Sequence, residues 1–117
     1  MIVVIDPAAT APVFEQLADQ VRAQLADGRI PVGTRLPSAR ELAEQLGINL
    51  HTVLHAYQAL RDEGLIALRR GSGAVAIAPA RDLAPLRASI AELVATAKGH
   101  DLSLPTLTAL IREEFGR

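Results

Sequence analysis

Within seven consecutive positions this chain gathers Asn49, Leu50, His51, Thr52, Leu54 and His55. The amide, the hydroxyl and the two imidazoles can each hydrogen-bond a base edge or a phosphate, and the two leucines offer the apolar contact that a thymine methyl accepts. Arg40 lies upstream of the stretch, and Arg69 and Arg70 downstream. Ser38 sits just ahead of Arg40, where the free amides of a helix start suit a phosphate. In Arg69-Arg70-Gly71-Ser72-Gly73 two cations precede a run bare enough for a close backbone approach to a minor groove. This is the chemistry of contact. No nucleophile–base pair and no paired carboxylates in a plausible cleft stand in the sequence, so an enzyme is not expected.

Three competing readings are weaker. His51 and His55 have the i, i+4 spacing that places two imidazoles on one helix face, as in zinc sites. The glutamate of an HExxH arrangement is missing and no third ligand is evident, whereas a structural zinc site takes four protein ligands and a catalytic one three. No metal and no cofactor are therefore expected. The Arg69–Gly73 run lacks the G-x-x-x-x-G-K-[ST] spacing of a nucleotide phosphate loop, and no helix pattern follows it directly. Arg40 precedes Glu44 by four residues, the spacing of a solvated helix ion pair, which competes with phosphate contact on those two residues alone.

The flanking patterns supply the elements that would hold these side chains. Ile2 to Ile5 is a β-branched run stopped by Asp6-Pro7, which predicts a small strand. Phe14, Leu17, Ala18, Val21 and Leu25 recur as one stripe of a helix, with Pro12 at its first turn and Gly28 past its end. Pro31 to Thr34 is a turn-rich connector. Ser38 and Glu41 form a capping box ahead of Ala39, Leu42, Ala43 and Leu46. Gly47 stops that second helix and Asn49 caps a third, whose buried stripe is Val53, Ala56, Tyr57 and Leu60. Two short helices joined through a glycine-bearing tight turn make a helix-turn-helix. Gly64 ends the third helix, and Leu65–Arg69 and Ala74–Ala78 read as two strands around the glycine-rich turn. The whole is mainly α with a small β-wing, a winged helix-turn-helix over residues 1–78.

Pro79 and Ala80 mark a boundary to a second segment, 79–117. In it Leu83, Leu86, Ile90, Leu93 and Ala97 repeat like a coiled-coil seam, and Gly99 ends the helix. Ser103 caps a last helix carrying Pro105 in its first turn and Leu107, Leu110, Ile111 and Phe115 on its apolar side. Two short helices cannot bury those stripes on each other. A two-helix dimerisation segment using Leu83, Leu86, Ile90, Leu93, Leu107 and Ile111 is the expectation, with a twofold homodimer its simplest form.

Bulk composition bounds these readings. The chain has 117 residues, no cysteine and a formal net charge of −1. Residues 1–80 hold seven arginines against eight carboxylates, so any affinity for a polyanion must come from local placement. Few phosphate contacts predict a shallow salt dependence and a strong reliance on two half-sites acting together. The N-terminal apolar run is too short for a signal peptide or a membrane span, and a cytoplasmic protein with no membrane partner is expected.

The sequence Leu36-Pro37-Ser38-Ala39-Arg40-Glu41-Leu42-Ala43, then Gly47-Ile48-Asn49, Thr52-Val53, Ala56-Tyr57, Leu60, Glu63-Gly64-Leu65-Ile66 and Arg69-Arg70-Gly71-Ser72-Gly73, resembles the GntR family of bacterial regulators. The match runs from Pro12 to about Ile77, over half the chain. The resemblance implies a homodimer on an inverted-repeat operator in double-stranded DNA, usually acting as a repressor. It carries base and phosphate contacts onto Arg40, Asn49, Thr52, Arg70 and Gly71, and onto positions 50, 51 and 54. Members often place arginine where this chain has Leu50 and Leu54, which lack the guanidinium that reads guanine. The short tail is similar to that of the YtrA type, the shortest subgroup, whose two helices serve dimerisation. A small-molecule effector of unknown identity stays open as a further partner, and a protein-interaction module without DNA binding stays the alternative function.

Overall fold

The Phe14–Leu25 stripe forms one face of α1 (Val13–Ala26) in the computed structural model of the chain, which describes residues 1–70, 73–78 and 81–117. Leu17, Val21 and Leu25 are fully buried, Pro12 is the N-cap, and Gly28 takes the left-handed turn after the helix with φ of 80°. After the connector comes β1 (Arg35–Leu36), a strand the sequence reading passed over. Two residues show no periodicity, and the strand exists only through its partner. Arg35 pairs with Val75 and Leu36 with Ala74, and Gly33 and Thr34 continue the ladder against Ala76.

Ser38 caps α2 (Ala39–Leu46), its Oγ accepting the Glu41 amide at 3.1 Å. At Gly47 the chain turns through the left-handed region, φ 66°, a conformation that costs a side-chain-bearing residue about 1–2 kcal/mol. Asn49 then caps α3 (Leu50–Asp62). Next, β2 (Ile66–Arg69) and β3 (Gly73–Ala76) pair antiparallel from Ile66 opposite Ala76 to Arg69 opposite Gly73. The sheet therefore has three strands in the order β1-β3-β2, one more than expected. Val53, Ala56, Tyr57 and Leu60 of α3 meet α1, Leu42 of α2, and Ile66, Ala74 and Ala76 of the sheet in one core. Each large aliphatic side chain so buried stabilises the fold by roughly 1.5–3 kcal/mol.

The expected N-terminal strand is not one. Residues 1–6 are extended but join no sheet. Their backbone is held instead by three glutamines one turn apart on α1. The Ile2 amide donates to Gln24 Oε1 (3.1 Å) and Gln24 Nε2 donates to the Ile2 carbonyl (2.7 Å). Val4 and Gln20 exchange the same pair at 2.9 and 2.7 Å, and Asp6 and Gln16 at 2.9 and 3.0 Å. The spacing explains the match: two extended residues rise about 6.6 Å and four helical ones about 6 Å. Val3 and Ile5 turn toward the core while Ile2 and Val4 face solvent.

The chain divides into two compact units, Met1–Arg81 and Asp82–Arg117, a few residues after the boundary expected at Pro79. In the second unit α4 (Ala84–Gly99) is followed by α5 (Leu104–Phe115). Leu83, expected inside the seam, is the N-cap of α4 and half-buried. Gly99 is the last residue of α4 rather than its stop; the chain reverses at Asp101, with φ of 58°. Aspartate tolerates that region better than most side chains. Ser103 caps α5, accepting from the Thr106 amide at 3.4 Å.

Candidate nucleic-acid interface

The helix-turn-helix is fixed by few bonds. Tyr57, buried in α3, donates its hydroxyl to the Pro37 carbonyl at 2.7 Å and so sets the start of α2 against the middle of α3. Burial, and secondly the negative charge of Glu41, push that hydroxyl well above its ordinary pKa, so it stays a donor across the physiological range. At the other end, Arg22 on α1 holds Glu63 with bonds of 2.8 and 2.7 Å and Asp19 at 2.6 Å. The hydrogen bond to Glu63 chiefly raises the Arg22 pKa, so the guanidinium stays charged.

The first turn of α3 sorts the candidate residues. Asn49 and His51 are exposed. Asn49 Oδ1 accepts the His51 amide at 2.7 Å, which leaves the Asn49 amide donors free for a ligand. Thr52 and Leu54 are half-buried. Of the residues expected clear of the buried stripe, Leu50 is half-buried, whereas His55 is exposed with one ring face covered. Leu50 packs against the core, and one face of the His55 ring lies on Phe14 of α1, with centroids 4.0 Å apart and planes 6° from parallel. The reason is that α3 crosses α1 along the edge carrying position 55, which helical periodicity within α3 alone does not register. His51 and His55 thus have different surroundings, and no group of three metal-capable side chains exists among the described residues.

The arginines divide the same way. Arg22, Arg29 and Arg61 are each held by carboxylates: Asp19 and Glu63, Asp27, and Asp62 respectively. Among the described residues, Arg35, Arg40, Arg69 and Arg70 make no ion pair, and all four are exposed. The Arg40–Glu44 pair that spacing allowed is not formed; Arg40 instead borders a depression of about 290 Å³ shared with Gly47 and Leu50 at the turn. Arg69 ends β2 opposite Gly73, whose φ is 72°. Gly71, a candidate contact, lies outside the described residues together with Ser72, Pro79 and Ala80. A chain near neutrality therefore keeps four unneutralised cations on α2, β1 and the wing. Sequence reasoning passed over Arg35, whose signal was its place beside the buried Leu36.

In the second unit Leu86, Ile90, Leu93 and Ile111 are exposed, and Leu107 is half-buried. Among the described residues, no helix is long and apolar enough to cross a membrane.

Three core helices, a tight turn into an exposed helix start and a paired wing define a winged helix-turn-helix, the architecture of proteins that place a helix in a DNA groove. Residues 14–75 match the family model described as bacterial regulatory proteins, gntR family, and the chain belongs to that family. The transcriptional repressor YtrA of Bacillus subtilis is 41% identical over 69 residues, 59% of this chain and 53% of that protein. The chain thus spans about half the length of that curated relative. The solved structure of YtrA from Sulfolobus acidocaldarius, a GntR-family transcription factor, superposes with a TM-score of 0.59 at 36% identity, over 81% of this chain and 99% of that one. The DNA-binding domain of AraR, solved in complex with operator ORX1, shares the fold at 23% identity, with a TM-score of 0.56 over 65% of this chain and 95% of that one.

Proposed function

We propose that this chain is a DNA-binding transcriptional regulator of the YtrA type, which binds an inverted-repeat operator in the cytoplasm as a homodimer and represses by occupying it. The observation that carries this reading is the sorting of the arginines. Arg22, Arg29 and Arg61 are held by carboxylates, whereas Arg40, Arg69, Arg70 and Arg35 make no ion pair among the described residues. The start of α3 enters the major groove, with Asn49 and His51 at base edges or phosphates and Thr52 beside them. Leu54 and the outer edge of Leu50 offer only apolar contact, which favours thymine methyl groups over guanine. Arg40 and the Ser38 turn take phosphates, while Arg69, Arg70 and the wing glycines Gly71 and Gly73 lie along the neighbouring groove. His55, stacked on Phe14, is left a peripheral contact. The exposed Leu86, Ile90, Leu93 and Ile111, with Leu107, close the dimer, and Leu83 borders it.

The test is selection of bound fragments from genomic DNA by the purified chain, followed by anisotropy titration of the recovered half-sites. Arg40→Ala is expected to weaken binding about 10- to 100-fold, in line with ~1–3 kcal/mol for a good contact, and to lower the salt slope by about one per subunit. Recovery of no fragment even at low salt would sink the reading. Crosslinking to a protein partner in that case would favour an interaction module instead.

A further inference from the structure

Between α3 and the base of the wing lies a groove of about 300 Å³ floored by Leu54, Tyr57, Leu68 and Ala74, with Arg69 and Arg70 along its edge. Its chemistry is two-sided. The Tyr57 hydroxyl is committed to the Pro37 carbonyl and the residue is 2% exposed, so the tyrosine backs the floor and offers no donor. Leu68 is 37% exposed on β2 and Leu54 half-buried on α3, so apolar surface stays in contact with water in the absence of a ligand. Neither arginine has a carboxylate partner among the described residues. A DNA phosphodiester answers the two cations but gives little cover to the leucines. A volume of this size stands at the lower end of small-molecule sites, room for a bicyclic ring or a short branched chain.

We propose that this groove binds a small amphipathic anion, an apolar ring or branched chain bearing one carboxylate, and that the bound anion and the wing's phosphate contacts exclude each other. The ring lies on Leu54, Leu68 and Tyr57, and the carboxylate meets Arg69 and Arg70. Arginine suits that role because its fork of donors matches a carboxylate bidentately. The same two cations cannot hold both a carboxylate and a DNA phosphate. A regulator whose second unit is two helices would in this way carry its effector site inside the DNA-binding unit. The competition rests on the DNA-binding reading above; the binding of the anion does not.

The probe is 2-naphthoate, titrated into the full chain without DNA and followed by amide chemical shifts. Shifts centred on Ala39, Leu54, Leu68, Arg69 and Ala74, with a Kd on the order of 1 mM or tighter, are expected for a ligand of this size. The neutral 2-naphthamide is expected to bind at least about tenfold more weakly, since it loses the charged half of the match. Leu68→Glu, a change at an exposed strand position, is expected to weaken naphthoate by a similar factor by setting a carboxylate before the arginines. Equal binding of acid and amide, shifts centred on α4 and α5, or no shift at about 10 mM, roughly ten times that Kd, would each overturn the site. With the selected operator fragment present, naphthoate is expected to raise the apparent Kd for DNA in proportion to its concentration. An operator affinity that naphthoate leaves unchanged overturns the exclusion. If no fragment is bound even without naphthoate, the DNA reading falls and the exclusion with it, while the shifts still decide the site.

Discussion

Leu17, Leu25, Val53 and Leu60 of the first unit are wholly withdrawn from solvent, whereas Leu86, Ile90, Leu110 and Phe115 of the second are between 48% and 89% exposed. The residue types and their helical spacing are alike in the two units. What differs is the number of layers. In the first, α1, α2 and α3 close against one another and against the sheet, so each apolar stripe meets another. In the second, α4 and α5 carry stripes of the same kind, yet Ala97 is the one buried hydrophobic residue among those described. An apolar stripe thus specifies a helix locally, but whether it becomes core depends on a third surface. The first unit supplies that surface from its own chain. In the proposed homodimer, a second copy of the same face supplies it to the second unit.

The most damaging test of this contrast places charge on the second unit. Leu86→Asp combined with Ile90→Asp is expected to leave the melting of the first unit unchanged and to yield a monomer in sedimentation equilibrium. Operator affinity is expected to fall roughly 10²- to 10⁴-fold, because two linked half-sites become independent. A double variant that stays dimeric would move the interface off α4.

A matched pair of truncations sharpens the point at somewhat smaller cost. Leu60→Ala removes a side chain that is 0% exposed and Leu93→Ala one that is 41% exposed. The first is expected to destabilise the chain by about 2–5 kcal/mol at any protein concentration, as a cavity in a closed core does. The second is expected to matter only through association, so that its effect on thermal midpoint grows as the protein is diluted toward its dimer dissociation constant. Concentration-independent melting of both variants would mean that Leu93 is not an interface residue.

What could be read from the sequence follows the same division between local and distant causes. All five helices announce themselves, because their caps and stripes are relations between residues a few positions apart: Ser38 with Glu41, Asn49 at the turn, Val53 with Ala56 and Leu60. The two wing strands show for a similar reason, being joined by a short turn. The elements missed or misassigned depend on partners far along the chain. β1 needs β3, forty residues on, and Leu36 by itself is one apolar residue before a proline. Ile2 to Ile5 has strand composition, yet its hydrogen bonds go to glutamine side chains on α1. The signal was present as Gln16, Gln20 and Gln24 at i, i+4, i+8, but a polar helix stripe ordinarily means only a wet face. At the candidate interface, residue types and their place at the start of α3 were legible. The stacking of His55 on Phe14 and the Arg22–Glu63 pair were not, because both are settled by how α1 and α3 cross.

Tyr57 probes the first unit alone, since it is the only tyrosine in the chain. Tyr57→Phe removes the donor to Pro37 and is expected to cost about 1 kcal/mol at neutral pH. Its pH dependence has a definite sign. The folded chain holds this hydroxyl above its ordinary value of 10.0, chiefly by burial. The stability linked to it is therefore complete below the pH at which the unfolded chain's tyrosine ionises, and is lost progressively above pH 10. Denaturant titrations of the two proteins are expected to converge as the pH rises past that point. A gap that stays constant would show that the hydroxyl is not sequestered as the structure has it.

The smallest effect concerns the N-terminal arm of the first unit. Residues 2, 4 and 6 are tied to α1 by glutamine side chains, and the pairs at residues 4 and 6 are solvent-exposed. Gln20→Ala removes the central pair of bonds, 2.9 and 2.7 Å, and leaves the Val4 amide and carbonyl to water. Because water replaces both bonds, the loss in global stability is expected to be at most about 1 kcal/mol, near the lower end for intramolecular hydrogen bonds. The local effect is larger than the global one. The arm is short and held at three points, so releasing the middle one frees Val3 and Ile5 to leave the core edge together. Amide exchange at Val4 is expected to accelerate by about tenfold or less, as 1.4 kcal/mol corresponds to a factor of ten, while exchange at Val53 and Leu60 stays unchanged. Gln20→Glu separates hydrogen bonding from packing, since a carboxylate accepts the Val4 amide but cannot donate to the Val4 carbonyl. Its exchange rate is expected to fall between those of wild type and Gln20→Ala. If both variants exchange like wild type, the Gln20 bonds do not hold the arm.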